Sequence, residues 1–281
     1  MLRKIINLLA TYNNPKDWIK NIQWRLPSTI SQTDTIFIIG APRSGTTLLQ
    51  RILSVQRELF SIEVETGLFS YQNIFDRKRH HFNFKSDELT TLFKNSNDII
   101  DFFTNAVNEL KKNHHSSNRF IEKTPQHILH LPFLIKHFPN AKFIHIVRDG
   151  RDCYCSAQEN SWVPQSRSIE EFARYWKKCV YKAISINSTE NILTIKYEDL
   201  VSKPNDVIPK VMNFLDLETE PCQTDHTKIA NDQRARKKEF AKLQQPINTS
   251  SINRWSSTLN KKEIDVFSKI AGDQLRHYGY K

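Results

Sequence analysis

Arg43, Ser44, Thr46 and Thr47 crowd a glycine-flanked turn in the segment TIFIIGAPRSGTTLLQRIL, residues 35 to 53. Gly40 and Gly45 keep the G-x-x-x-x-G spacing of a phosphate loop, in which backbone N–H groups and the unpaired donors of a helix start cradle an oxyanion. In a triphosphate site the residue after the second glycine is a lysine that reaches the outer phosphates, followed by a hydroxyl that holds magnesium. Here that residue is Thr46. The substitution disfavours a magnesium triphosphate. It leaves Arg43 at the loop apex, where a planar guanidinium can hold a pair of non-bridging oxygens while Ser44, Gly45, Thr46 and Thr47 complete the shell.

The stretch GAPRSGTTLL resembles the 5′-phosphosulfate loop of sulfotransferases that use 3′-phosphoadenosine 5′-phosphosulfate (PAPS). The likeness is to the branch with arginine at the apex, which includes tyrosylprotein sulfotransferases and related bacterial enzymes. A second stretch, FIHIVRDGRDCYCSAQ, resembles the 3′-phosphate segment of that family, a strand-end arginine followed eight residues later by a helix serine, here Arg148 and Ser156. Arg148 would leave the sheet at its carboxyl edge, where open α/β folds bind ligands. Ser156 would share a helix stripe with Asp149 and Cys153. Two separated anion sites suit a nucleotide charged at both its 5′ and 3′ positions. Three weaker matches follow: EKTP at 122–125, the strand end IKYEDLVSKP with Tyr197, and INRWSSTLNKKE with Arg254 and Trp255, ahead of a closing Gly-Tyr. The resemblance runs from about residue 34 to about 280 and is uninformative over about 68 to 118. It implies PAPS as donor, adenosine 3′,5′-bisphosphate as product, no required metal, and cofactor contacts from Arg43 to Thr47, Arg148, Ser156, Tyr197, Arg254 and Trp255.

Sulfuryl transfer, like phosphoryl transfer, passes through a loose in-line transition state, so the protein positions the reactants and stabilises charge. A cation must sit beside the oxygen that leaves with the nucleotide. Arg43 and Lys123 are the candidates, and such stabilisation is worth on the order of 3 kcal/mol. A solvated Lys123 paired with Glu122 is the structural alternative. The acceptor hydroxyl needs a general base. If SIEVETGLF is a strand, Glu63 and Glu65 lie on one side of it, and the glutamate of the Glu-Thr pair in the resembled branch corresponds to Glu65. Glu63 competes with it, because this chain reads EVET where the tyrosylprotein enzymes read EET. His127, His130 and His137, at roughly helical spacing, read as surface or helix-packing residues rather than metal ligands.

Those residues need a scaffold. TIFII, RFIEK, AKFIHIVR and NILTIKY read as buried strands alternating with helical segments. That pattern predicts an α/β, P-loop NTPase-like three-layer sandwich with a central, mostly parallel sheet flanked by helices. At 281 residues and 38% hydrophobic content the chain suits a single domain. Residues 1–30 read as a peripheral amphipathic segment, about 68–118 as a helical insert facing the acceptor, and about 224–250 as a mobile loop. TPQHILHLPFLIKHFP reads as a helix whose prolines mark its start, an interior break or kink, and its end. With 41 Lys+Arg against 30 Asp+Glu the net charge is +11, which favours an anionic ligand. No aromatic-and-basic interleaving suggests nucleic acid. Cys153, Cys155, Cys179 and Cys222 read as reduced thiols, and no stretch is a convincing leader or transmembrane span. The expectation is a cytoplasmic sulfotransferase acting on a hydroxyl or amine of a small-molecule, glycan or peptide acceptor, with a homodimer left open. A degenerate phosphotransferase and a noncatalytic nucleotide-anchored binding module are the alternatives.

Overall fold

The computed structural model describes residues 15–70, 74–75, 81–114, 119–159, 163–186, 190–224 and 246–281. Helix α1 (Pro15–Trp24) precedes β1 (Thr35–Gly40), α2 (Thr46–Leu53) and the short β2 (Leu59–Ser61). Two helices, α3 (Ser86–Lys94) and α4 (Ile99–Lys111), lead to β3 (Arg119–Lys123). A 3-10 turn at Pro125–His130 continues into α5 (Leu131–His137), then β4 (Lys142–Val147), α6 (Gly150–Gln158), α7 (Ile169–Ile184) and β5 (Ile192–Lys196). Helices α8 (Tyr197–Ser202), α9 (Pro204–Phe214), α10 (Trp255–Thr258) and α11 (Lys261–His277) complete the order. The described strands form one sheet, ordered β2-β3-β1-β4-β5, in which every pairing is parallel.

The apolar runs explain the layering, because alternate side chains of a strand serve opposite faces. Phe37 and Ile39 of β1, Phe120 of β3, and Phe143 and Val147 of β4 enter one core with Phe102 and Phe103 of α4, Trp176 of α7 and Phe267 of α11. Ile36, Ile38, Ile121, Ile144, Ile146 and Ile195 enter the other, with Leu49 and Ile52 of α2 and Ile208 and Val211 of α9. The sheet is therefore sandwiched between two helical layers, as its pattern of buried strands predicted.

Local differences have local causes. The interior break expected in the proline-punctuated segment 124–139 falls where a 3-10 turn gives way to α5, because Pro132 in the first turn of α5 lacks the N–H that a continuous helix would use. The insert divides at Asp98, whose carboxylate caps α4 by accepting from the amides of Ile100 and Asp101 at 2.8 and 3.0 Å. Glu63 and Glu65 do not lie on a strand, since β2 ends at Ser61 after pairing with β3 over only three residues. In α1 only part of the amphipathic face packs: Trp24 is buried against Phe75, Phe93 and Phe102, whereas Ile19 and Ile22 are exposed. Residues 1–14, and 225–245 of the expected mobile loop, lie outside the described residues. No described helix is long and apolar enough to cross a membrane.

Candidate active site

The glycine-flanked loop is shaped by close packing at the sheet edge. A Cβ on Gly40 would sit 2.5 Å from the Ile146 carbonyl oxygen, and one on Gly45 would sit 2.5 Å from the Tyr197 ring. Gly45 also has φ of 100°, open to glycine and strained for other residues. Arg43 itself adopts φ of 68°, a left-handed conformation that costs a side-chain-bearing residue about 1–2 kcal/mol. That strain belongs to the residue the loop must aim. Among the described residues, helix α2 starts at Thr46 with no side-chain cap on its first turn, and the buried Ser44 Oγ has no hydrogen-bond partner. An uncapped helix start beside an orphaned hydroxyl is the donor set an anionic group would complete.

The loop and the second anion segment meet. Arg43 Nε donates to Ser156 Oγ at 3.1 Å, across 113 residues of sequence. Arg148, at the carboxyl end of β4, donates from Nη1 to the Arg43 carbonyl at 3.0 Å and from Nη2 to the Ser251 carbonyl at 2.5 Å. Its guanidinium lies 4.5 Å over the Tyr197 ring, and its buried Nε is without a partner among the described residues. Arg43, Arg148, Ser156 and Tyr197 thus form one constellation, with Arg148 at 4% exposure.

Carboxylates behind this constellation hold its frame. Asp149 caps α6 by accepting from the Arg151 amide at 2.9 Å, and its own amide donates to Glu198 Oε1 at 3.0 Å. The Tyr280 hydroxyl donates to the other Glu198 oxygen at 2.9 Å. Burial pushes the Glu198 carboxyl up, against the pull of those hydrogen bonds. Asp152, also pushed up by burial, accepts from the Asn253 and Trp255 amides at 2.8 and 3.0 Å. The Arg254–Trp255 segment is thereby laid along α6, where Arg254 pairs with Glu159 and the Arg151 guanidinium lies 3.6 Å over the Trp255 ring. None of Asp149, Asp152 and Glu198 stood out as a site residue in the sequence. The one available signal was the spacing of Asp149 and Asp152, which puts both at the first turn of a helix.

At the neighbouring strand end, Lys123 Nζ donates to Glu65 Oε1 at 2.6 Å. The Lys123 side chain is 2% exposed and that of Glu65 is 27% exposed. Lys123 is not a solvated lysine paired with Glu122. Successive strand residues point to opposite faces, and Glu122 is buried on the other side with His127 Nδ1 at 2.9 Å. Glu63 is exposed. Of the three histidines, His127 and His137 are buried, His137 donating from Nδ1 to the Thr29 carbonyl at 2.9 Å. His130 is pushed down to about 4, chiefly by burial. His127 and His137 are thus buried and His130 half-buried, all three packing within the fold.

The description "Sulfotransferase family" belongs to the family model that matches residues 35–221. The chain belongs to the sulfotransferase family. Among curated relatives, protein-tyrosine sulfotransferase A of Caenorhabditis elegans is 25% identical, over 87% of this chain and 67% of its own length. Protein-tyrosine sulfotransferase 1 of Danio rerio is 24% identical, over 87% of this chain and 72% of its own. The sulfotransferase domain of the Synechococcus PCC 7002 olefin synthase superposes with a TM-score of 0.65 at 18% identity, over 89% of this chain and 98% of that one. A mouse sulfotransferase solved with PAP superposes at 0.54, also at 18% identity, over 93% and 91%. These likenesses place the enzyme in the P-loop NTPase-like fold of the sulfotransferases, and its activity is sulfuryl transfer.

Proposed function

We propose that this sulfotransferase takes the sulfuryl group from PAPS and passes it to a hydroxyl or amine acceptor, with Glu65 as general base. The observation that carries the reading is the Arg43–Ser156 hydrogen bond, which joins the glycine-flanked loop to the Arg148 segment as one two-part anion cradle. PAPS fits the residues present: an orphaned Ser44 hydroxyl in the loop, an orphaned Arg148 nitrogen in the second part, and a threonine where a triphosphate loop has lysine. The mouse relative solved with PAP supports the same donor.

When bound, the donor supplies an activated sulfuryl group and a bisphosphate leaving group. Arg43, Ser44, Gly45, Thr46 and Thr47 hold the 5′-phosphosulfate, and Arg148, Ser156, Arg254 and Trp255 hold the 3′-phosphate, with Tyr197 as backing. Arg43 and Lys123 stabilise the negative charge that grows on the leaving oxygen. Glu65, more exposed than Lys123, accepts the acceptor proton from the solvent side. No group of three His, Cys, Asp or Glu side chains among the described residues could hold a metal ion, and the proposed chemistry uses none. The residues after Glu65 run toward the helical insert, which on this reading faces the acceptor within a single domain. The protein-tyrosine sulfotransferases among the relatives make a tyrosyl peptide the first acceptor to try.

The test is transfer of label from sulfur-labelled PAPS to a panel containing a tyrosyl peptide, simple phenols, sugars and amines, with donor breakdown in water followed in parallel. Labelled product from one acceptor class, lost in Glu65→Gln, is the expected result. Full turnover by that variant would move the base elsewhere.

A further inference from the structure

Consecutive residues of one loop grip consecutive residues of one strand. Glu65 accepts from Lys123 at 2.6 Å, and the next residue, Thr66, donates from Oγ1 to Glu122 Oε1 at 2.7 Å. Because Glu122 and Lys123 project to opposite faces of β3, residues 65 and 66 straddle the end of the strand.

The Glu122 side of this grip is a closed polar cluster inside an apolar layer. Thr124 Oγ1 also donates to Glu122 Oε1, at 2.7 Å, and His127 Nδ1 lies 2.9 Å from Oε2. The cluster then reaches back to the loop. Thr124 Oγ1 accepts from the Gly67 amide at 3.1 Å, and His127 Nε2 accepts from the Phe69 amide at 3.3 Å. A ring nitrogen that accepts carries no proton, so this bond puts the His127 proton on Nδ1, facing the carboxylate. Thr66, Glu122, Thr124 and His127 are each 2% exposed or less. Residues 66, 67 and 69 are therefore all tied to the segment that carries Lys123, immediately after the residue that pairs with it. A surface loop needs no such attachment to fold. A loop that must hold a carboxylate in one place relative to a strand-end lysine does.

We infer that Thr66, anchored by the buried Glu122–Thr124–His127 cluster, is a positioning residue that sets Glu65 against Lys123 for proton removal from the acceptor. The inference rests on the reading of Glu65 as base. It assigns the four clustered side chains no contact with donor or acceptor.

The experiment compares Thr66→Val, which keeps shape and removes the donor, with Thr66→Ser, which keeps the hydroxyl. Turnover of labelled PAPS is read with a tyrosyl peptide and with water alone as acceptor, alongside calorimetric affinity for adenosine 3′,5′-bisphosphate. Thr66→Val is expected to lower kcat about tenfold with KM for PAPS and bisphosphate affinity unchanged, Thr66→Ser to restore kcat, and Thr66→Val to add nothing in a Glu65→Gln background. Thr124→Val attacks the same cluster from the strand side and decides the matter if Thr66→Val does not fold; the same kcat loss is expected. Unchanged kcat in the valine variants, equal losses in valine and serine variants, or a matching loss of bisphosphate affinity would overturn the positioning role. Glu65→Gln separates the two levels: if it turns over normally the base reading fails, whereas an inactive Glu65→Gln beside a normal Thr66→Val removes only the positioning role.

Discussion

On the proposed reading, the donor half and the acceptor half of the site are held in different ways. On the donor side, geometry is set by main chain: a left-handed Arg43, a positive-φ Gly45 against the Tyr197 ring, an uncapped helix start, and backbone carbonyls that orient Arg148. On the acceptor side, Glu65 lies beyond a three-residue strand, and its loop is tied down by side chains from the buried Glu122 cluster. A phosphate presents the same oxygens in every turnover, so a rigid backbone nest suits it. A base must be aimed at an acceptor that arrives from solvent, which leaves its placement to tertiary contacts.

The sharpest way to separate the halves is Glu65→Gln. Transfer should fall on the order of 10²–10⁴-fold, as expected when a general base is lost, with bisphosphate affinity intact in calorimetry. A parallel loss of affinity would mean that the halves are not independent. Gly45→Ala should do the reverse: the added Cβ meets the Tyr197 ring at a φ of 100°, and a strain of about 1–2 kcal/mol together with a displaced ring should weaken bisphosphate roughly tenfold or more. Arg148→Ala divides the donor half itself. Loss of charge-assisted hydrogen bonds worth about 1.5–3 kcal/mol should weaken adenosine 3′,5′-bisphosphate roughly 10- to 100-fold while leaving adenosine 5′-phosphosulfate nearly unchanged, and equal losses would remove the 3′-phosphate role.

The smallest effect concerns pH. Burial alone would push the Glu122 carboxyl up, but the adjacent His127 and the hydrogen bonds from Thr124 and Thr66 outweigh it and hold the carboxyl below its ordinary value. The stability it contributes is therefore present above the ordinary carboxylate range and is lost as pH falls through the lowered value. Asp152 and Glu198 are shifted up by burial, so their contribution has the opposite sign: it is present below the ordinary range and lost as pH rises through the raised values. Acid below the ordinary carboxylate range should loosen the acceptor loop before the donor strap. Hydrogen exchange at the Gly67 and Phe69 amides should accelerate toward low pH relative to the Asn253 and Trp255 amides, and Glu122→Gln should remove that difference.

This division also explains what could be read from sequence. Buried β-branched runs and helical spacing define the parallel sheet, and α11 runs over Lys261–His277 as its pattern indicates. The strand–loop–helix geometry of the glycine-flanked turn is legible because its constraints are local: two glycines, an apical arginine and hydroxyls within eight residues. Arg148 and Ser156 are legible because a strand end and the helix after it fix their separation. The acceptor side is opaque for the converse reason. The short β2 looks like the start of a longer strand that would carry Glu63 and Glu65, and nothing local announces that pairing with β3 ends at Ser61. His127 reads as a surface or helix-packing histidine because its partners, Glu122 and the Phe69 amide, lie 5 and 58 residues away, and only the fold brings them together. Asp152 is invisible as a latch because it holds backbone amides, which carry no sequence signature, about a hundred residues downstream.

The central claim is that the loop and the Arg148 segment form one cradle for a nucleotide charged at both its 5′ and 3′ positions. Calorimetric titration of the wild-type chain with adenosine 3′,5′-bisphosphate, and separately with ATP and magnesium, tests it most directly. The account predicts tighter binding of the bisphosphate, with no dependence on magnesium; tighter binding of magnesium ATP would contradict it.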